Sequence, residues 1–168
     1  MTIKYIEFNK APLSLREEAW LLYKESFPEY ERRSRTAHQA ACNDPEFHSM
    51  IAADGNVTLL RIVFYWVHDA LLFVEHIAVN PSVRGQNLGS TILGRLTGKH
   101  SEKTIILEID PPVDDISIRR KGFYERLGFV ANDYDYSHPS FVTGDKAVPH
   151  KLIIMSHGRK ISEAEYNN

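Results

Sequence analysis

The apolar period of this chain changes at Asn80-Pro81, and that change limits the folds open to it. Before it, Leu71-Leu72-Phe73-Val74-Glu75-His76-Ile77-Ala78-Val79 is a nearly continuous apolar run, the composition of a strand inside a sheet. After it, Leu88, Ile92 and Leu96 recur every four residues, one face of a helix. The joint reads Val79-Asn80-Pro81-Ser82-Val83-Arg84-Gly85-Gln86-Asn87-Leu88-Gly89-Ser90, which predicts a strand, a turn of small and polar residues, and a helix beginning near Gln86. The first N–H groups of a helix have no partner within it, and the macrodipole is positive there. Gly85, Gly89 and Ser90 let a ligand's oxygens approach the main chain, so the segment has the make-up of a pyrophosphate cradle built from backbone amides. A plainer reading stands beside it, a turn whose glycines serve only its backbone angles.

Two competing phosphate motifs fail on spacing. Gly94-Arg95-Leu96-Thr97-Gly98-Lys99 is too short for a Walker A loop, and His100 stands where Ser or Thr is needed. No Gly-x-Gly-x-x-Gly follows a predicted strand. The pattern argues against a nucleoside triphosphate or NAD as the anion.

Around this joint the other elements fall in a definite order. Residues 3–8 alternate apolar and polar, as an edge strand does. Residues 13–27 have helical spacing with Ser14 as the expected cap, and Pro28 stops them. A more polar second helix is expected over 31–42, broken by Asn43-Asp44-Pro45. Strand-like runs at 47–53, 57–67 and 71–79, joined at Asp54-Gly55-Asn56 and His68-Asp69, predict an antiparallel meander. Residues 104–109 read as an interior strand. Residues 115–127 read as a helix with Ile116, Phe123 and Leu127 in its apolar stripe, Asp114 and Asp115 at its start and Gly128 closing it. Strands at 129–131 and 152–155 follow, separated by a long stretch over 132–149 that reads as a functional loop. The expected class is α/β, a mixed central sheet of about seven strands flanked by about four helices.

Composition narrows the setting. The chain has 168 residues, 43% of them apolar and 25% charged, enough for one domain over 1–168 with its own core. A formal net charge of -2 supplies no basic field for nucleic acid. The single cysteine, Cys42, excludes an internal disulfide framework and reads as packing in an Ala-Ala-Cys stretch. No basic segment followed by an apolar one opens the chain, and the apolar runs are too short to span a bilayer. A cytoplasmic protein, away from the membrane, is the expectation. The eight histidines lack zinc-ligand spacing, so no catalytic metal is expected.

At this point the sequence resembles the GNAT acetyltransferase superfamily. Its signature, Gln or Arg, two residues, Gly, one residue, then Gly or Ala, becomes Arg84-Gly85-Gln86-Asn87-Leu88-Gly89, with Asn87 in place of the first glycine. Asn is the residue after glycine that best tolerates left-handed backbone angles. A second segment, Lys121-Gly122-Phe123-Tyr124-Glu125-Arg126-Leu127-Gly128-Phe129, is similar to the family's closing motif, and the element order above is the family's order over nearly the whole chain.

The resemblance implies an acyl-CoA N-acyltransferase fold, with acetyl-CoA as acyl donor. It implies cofactor contacts along Arg84, Gly85, Gln86, Asn87, Leu88, Gly89 and Ser90, and main-chain contacts from Ile77, Ala78 and Val79 to the pantetheine arm. One N–H there would polarise the thioester carbonyl. Tyr124 is the expected acid that protonates the leaving thiolate; one residue past Phe123, it is turned roughly 100° from the predicted core stripe. Glu75, a carboxylate inside an apolar strand, is the expected base, with Glu108 and Asp110 in reserve and water sufficient for an α-amine. His76 points away from Glu75 in a regular strand, and a bulge would change that. Tyr30, Glu31, Arg32 and Arg33, at the start of the second helix, are expected on the acceptor side, with Tyr134, Asp135, Tyr136, His138 and Phe141 from the long loop.

These residues predict direct attack of a neutral primary amine, on a small molecule or peptide, in a ternary complex; no Ser-His-Asp or Cys-His set suggests an acyl-enzyme. The alternative is a non-catalytic acyl-CoA-binding sensor or regulatory module on the same fold. A homodimer is compatible with either.

Overall fold

The computed structural model describes residues 2–55, 58–83, 85, 87–138 and 150–167. Strands β1 (Ile3–Glu7), β2 (Phe47–Asp54), β3 (Thr58–His68) and β4 (Leu71–Val79) pair antiparallel in sequence order, the predicted meander with the predicted edge strand outside it. The β3–β4 reversal puts Asp69 at φ 44, a left-handed angle that Asp tolerates because its short polar side chain bonds locally. Strand β5 (Thr104–Ile109) lies parallel to β4, reached through α3 (Leu88–Lys99). Beyond β5 the order is β8 (His150–His157) and then β6 (Phe129–Ala131), both antiparallel, with β7 (Tyr136–His138) pairing the start of β8.

Alternate side chains of β3 enter two different cores, which places those cores on opposite faces of the sheet. Ile62 and Phe64 join Leu15, Trp20 and Tyr23 of α1 (Leu13–Ser26). Val63 and Tyr65 join Ile92, Leu93 and Leu96 of α3 and Tyr124 of α4 (Asp115–Arg126). Each of these fully buried aliphatic side chains contributes about 1.5–3 kcal/mol.

Several sequence expectations are corrected. Ser14 does not cap α1, which starts one residue earlier after Pro12 and has no side-chain cap. The second helix is shorter than 31–42: a single 3₁₀ turn at Glu29–Glu31 is followed by extended Arg32, and α2 spans Arg35–Ala41. Ser34 fixes that start, since its hydroxyl accepts from Ala37 N at 3.1 Å. The stripe on α4 is rotated, with Ile116 70% exposed and Ser117 and Tyr124 inside. The Asp114–Ser117 capping box turns the first helical turn inward at Ser117, so the position seven residues on, Tyr124, is buried too. Part of the long 132–149 stretch is β7, and β8 is longer than 152–155. A short α5 (Glu163–Tyr166), capped by Ser162, has no counterpart in the apolar pattern; its Tyr166 ring stacks on Tyr134 at 4.3 Å. Among the described residues no helix is long and apolar enough to cross a membrane.

Candidate active site

The site begins where β4 and β5 stop pairing. Their parallel ladder runs from Leu71/Thr104 to Val74/Leu107. Beyond it β5 continues against β8 through Glu108 and Ile109, while residues 76–79 of β4 stay paired to β3 alone. Two strands that are each held on the outer side and unpaired on the inner side form a fork. Its inner edges present main-chain N–H and C=O groups that need partners. The fork opens into a cavity of about 500 Å³ walled by residues 74–79, residues 107–110, Phe27, Tyr30, Glu31, Arg120 and Tyr124.

A β-bulge sits at the root of the fork. Phe64 pairs with His76 and Tyr65 with Val74, which leaves Glu75 without a β3 partner. The extra residue reverses the alternation of β4. Leu72 and Val74 pack on the α3–α4 face, whereas His76 contacts Tyr23 and Phe27 and Ala78 joins the α1 core. Glu75 and His76 therefore lie on one face, with Oε1 3.6 Å from Nδ1.

The Glu75 carboxylate accepts from the Arg33 guanidinium and from the Trp66 indole N–H, and its side chain is only 4% exposed. Arg33 is itself held by its main-chain N–H, which donates to Tyr23 Oη at 2.8 Å, and by its guanidinium over the Phe47 ring. Burial pushes the Tyr23 phenol up to about 12. His76 Nε2 donates to the Glu31 carbonyl at 2.6 Å, which ties the 3₁₀ turn to the bulge. These partners lie far apart in sequence, so no local pattern announces them.

The other expected residues are distributed as follows. Ile77, Ala78 and Val79 form the β4 wall of the cavity. Tyr124 is 8% exposed and lines the cavity; among the described residues none hydrogen-bonds its hydroxyl, and burial raises its pKa. Tyr30 and Glu31 line the opposite wall. Arg32 turns back instead, donating to the Lys24 and Phe27 carbonyls at 3.2 Å each, and does not line the cavity. Tyr136 donates to Glu108 Oε1 at 2.6 Å. Asp110, at the rim, meets Arg120 at 3.3 Å. His138 ends β7, but its side chain lies outside the described residues, as does Phe141.

The turn before α3 has the conformation its composition requires. Gly85 has φ +89, and Asn87 has φ 56 and ψ 27, so the residue that replaces the signature glycine adopts the left-handed angle itself. The Asn87 carbonyl accepts from Thr91 N at 3.1 Å and from the Ser90 hydroxyl at 2.9 Å, closing the first turn of α3, which begins at Leu88 rather than near Gln86. A Cβ at Gly89 would stand 3.3 Å from Phe123 Cζ, so this glycine sets how closely α3 approaches α4. Arg84 and Gln86, and the side chain of Leu88, lie outside the described residues.

Cys42 packs against the α1 core with Sγ 3.5 Å from His38 Nε2, and burial raises its thiol pKa, the opposite of an activated nucleophile. Sequence reasoning missed Arg120 and Trp66, and it placed Arg33 on the acceptor side rather than on Glu75; a lone charge in an apolar strand was the one available signal for that clamp.

A forked sheet, a glycine-bearing turn into α3 and a buried tyrosine on α4 together define an acyltransferase-type fold. The acetyltransferase (GNAT) domain family matches residues 45–131, more than half of the chain, and the protein belongs to that family. YjbC of Bacillus subtilis, a candidate acetyltransferase, is 31% identical over 88 residues, 51% of this chain and 45% of that protein; the match thus spans less than half of its length. The solved structure of a candidate GNAT-family acetyltransferase from Bacteroides thetaiotaomicron superposes with a TM-score of 0.83 at 28% identity, over 99% of this chain and 92% of the other. Arabidopsis thaliana NAA60, solved in complex with acetyl-CoA, shares the fold at a TM-score of 0.65 and 14% identity, over 93% of this chain and 98% of its own.

Proposed function

We propose that this protein transfers an acetyl group from acetyl-CoA to a primary amine, carried by a small molecule or a peptide, through direct attack in a ternary complex. The observation that carries this reading is the fork between β4 and β5, with Tyr124 among the residues that wall it. A pantetheine arm is an extended chain with amide groups at intervals, and the open edge at residues 76–79 offers it the partners a neighbouring strand would have supplied. The positive angles of Gly85 and Asn87 and the start of α3 suit a pyrophosphate on backbone amides. That NAA60 was solved with acetyl-CoA agrees with this donor.

In this reading a main-chain N–H of the β4 wall faces the thioester oxygen as it gains charge. Tyr124 keeps its proton until sulfur leaves, because burial disfavours the phenolate, and then donates it to the thiolate. Tyr30 and Glu31 form the acceptor wall, with the Glu31 carbonyl fixed by His76. Direct attack needs no nucleophilic side chain, and Cys42 lies away from the cavity walls.

Thiol release from acetyl-CoA, measured against a panel of amines with wild type and Tyr124→Phe, tests the proposal. Turnover with one amine class, reduced at least about tenfold by the substitution, supports it. Tight CoA binding with no turnover on any amine assigns the fold to an acyl-CoA sensor instead, and no CoA affinity sinks both.

A further inference from the structure

Residues 132–135 lead from β6 into β7 and belong to neither strand, yet the segment that follows β8 grips each of them. Gly158, at φ +83, reverses the chain after β8, and its N–H donates to the Gly128 carbonyl at 2.8 Å. Residues 159–166 then run back beside residues 132–135. The innermost hold is the side chain of Asn132, a residue only 5% exposed. Its amide nitrogen donates to the Ile154 carbonyl and to the Ser156 hydroxyl, at 3.0 Å each, and its amide oxygen accepts from Ile161 N at 2.9 Å. A buried amide engaged on both sides fixes the chains around it, because a shift of either one strands a polar group away from water. Further out, Lys160 meets Asp133 at 3.1 Å. The Tyr134 hydroxyl donates to the Ile161 carbonyl at 2.9 Å, and the Tyr166 hydroxyl donates to the Asp135 carbonyl at 2.9 Å. The two tyrosine rings stack at 4.3 Å with 6° between their planes. The Ser162 capping box and the Arg159–Glu165 pair keep α5 in the shape that presents Tyr166.

The residue after this grip is Tyr136, which opens β7, pairs with Leu152 of β8 and donates to Glu108 Oε1 at 2.6 Å. Leu152 and Glu108 both line the cavity. Leu107 and Ile109 are buried in the α3–α4 core, so the alternation of β5 turns Glu108 to the other face, the side of Tyr30 and Glu31. We propose that residues 159–166 are a clasp that sets the affinity for the acceptor amine: Asn132 and Tyr166 fix residues 132–135, and so place Tyr136 on the acceptor side of the fork. The inference rests on the acetyl-transfer reading above. Asn132 and Tyr166 are positioning residues, since neither lines the cavity. The donor side of that reading, residues 76–79 and the turn into α3, is held separately, by the β3 ladder and by the bonds to the Asn87 carbonyl. Loosening the clasp therefore acts on one substrate and spares the other.

The test is steady-state kinetics with acetyl-CoA as donor and two acceptors, 1,4-diaminobutane and a peptide amide with a free α-amine. Tyr166→Ala removes the ring stack and the bond to the Asp135 carbonyl from a half-buried position. It is expected to raise KM for the amine about tenfold while kcat and KM for acetyl-CoA stay within about twofold. Tyr166→Phe keeps the stack and should recover most of that loss. Tyr136→Phe should raise the amine KM by itself, and adding Tyr166→Ala to it should bring little more, because the two changes release the same hold. Hydrogen exchange should quicken over residues 132–138 in Tyr166→Ala and stay unchanged along β4. An unchanged amine KM in Tyr166→Ala, an equal rise for both substrates, or an amine effect that adds in full to Tyr136→Phe would overturn the clasp. If wild type turns over neither amine, the acetyl-transfer reading fails separately. Calorimetric binding of the same two amines then decides: weakening of about tenfold in Tyr166→Ala supports the clasp. Equal affinity in the two proteins, or no binding to wild type, removes it.

Discussion

Glu75 is the one residue of β4 inserted opposite β3 without a partner, and Arg33 reaches it from the segment just before α2, 42 positions earlier in the chain. The pair fastens the bulge at the root of the fork, and Trp66 closes it from β3. Because the bulge reverses the alternation of β4, it decides which side chains of residues 75–79 meet the α1 core and which meet the α3–α4 core.

Removing one partner should therefore cost more than removing a surface ion pair. Arg33→Ala leaves the buried Glu75 carboxylate without its guanidinium, with, among the described residues, only the Trp66 N–H and the nearby His76 ring beside it, and is expected to destabilise the protein by about 3 kcal/mol, read from urea unfolding at neutral pH. The exposed pair Arg35–Glu17 is the internal control. Arg35→Ala there is expected to shift the urea midpoint far less, because solvent screens that pair.

Tyr124 separates catalysis from stability. No described residue bonds its hydroxyl, so Tyr124→Phe should leave unfolding within about 0.5 kcal/mol of wild type. Thiol release should fall at least about tenfold in the same preparation. Equal loss of stability and activity would mean that the hydroxyl has a structural partner instead.

The left-handed angle at Asn87 makes a prediction for the turn into α3. Asn87→Val should cost about 1–2 kcal/mol, because a β-branched side chain clashes with the backbone at φ 56, whereas Asn87→Gly should be tolerated. Calorimetric binding of CoA should follow the same order, with glycine equal to or tighter than wild type. Weaker binding in Asn87→Gly would assign the Asn87 side chain itself to the ligand.

His38 sets a pH dependence of folding. Burial, then the charges of Arg33 and His76, bring its imidazole down to about 4, well below the ordinary value near ~6.5. The unfolded chain thus binds more protons than the native one between these values. Stability should fall as pH drops from about 6.5 toward about 4, by at most about 1.4 kcal/mol per pH unit for this group. His48 and His100 shift in the same direction and steepen the limb. His38→Gln should flatten it, measured as the slope of the urea midpoint against pH; an unchanged slope would show that His38 is protonated in the native state.

The order of elements from β1 to β6 and the joint at Asn80-Pro81 are legible in neighbouring residues alone, whereas β7 and α5 are not. Apolar period and breaker residues act within a few positions of one another, so the meander over β2–β4, the interior strand β5, the Asp114 cap and the glycine after α4 all follow from neighbours in the chain. Errors arose where a local pattern was equivocal. Ile116 had helical spacing yet faces solvent, because the Asp114–Ser117 box fixed the rotation of α4. Ser14 could have capped a helix that started without it, and Ser34 shortened the helix expected from residue 31.

How the site is assembled follows from the folded sheet and not from any local pattern. That Glu75 is held by Arg33 and Trp66, that His76 fixes the Glu31 carbonyl, and that Tyr136 orients Glu108 are contacts between residues 9 to 45 positions apart. A one-residue bulge changes the face of every side chain after it, and nothing in the spacing of Val74, Glu75 and His76 states whether β3 will leave one of them unpaired. Local chemistry dictates which residues can form a strand, a turn or a cap. The pairing of distant strands, with its bulges and its point of separation, dictates which of those residues meet, because only the folded sheet brings their polar groups into a shared, partly dry cavity.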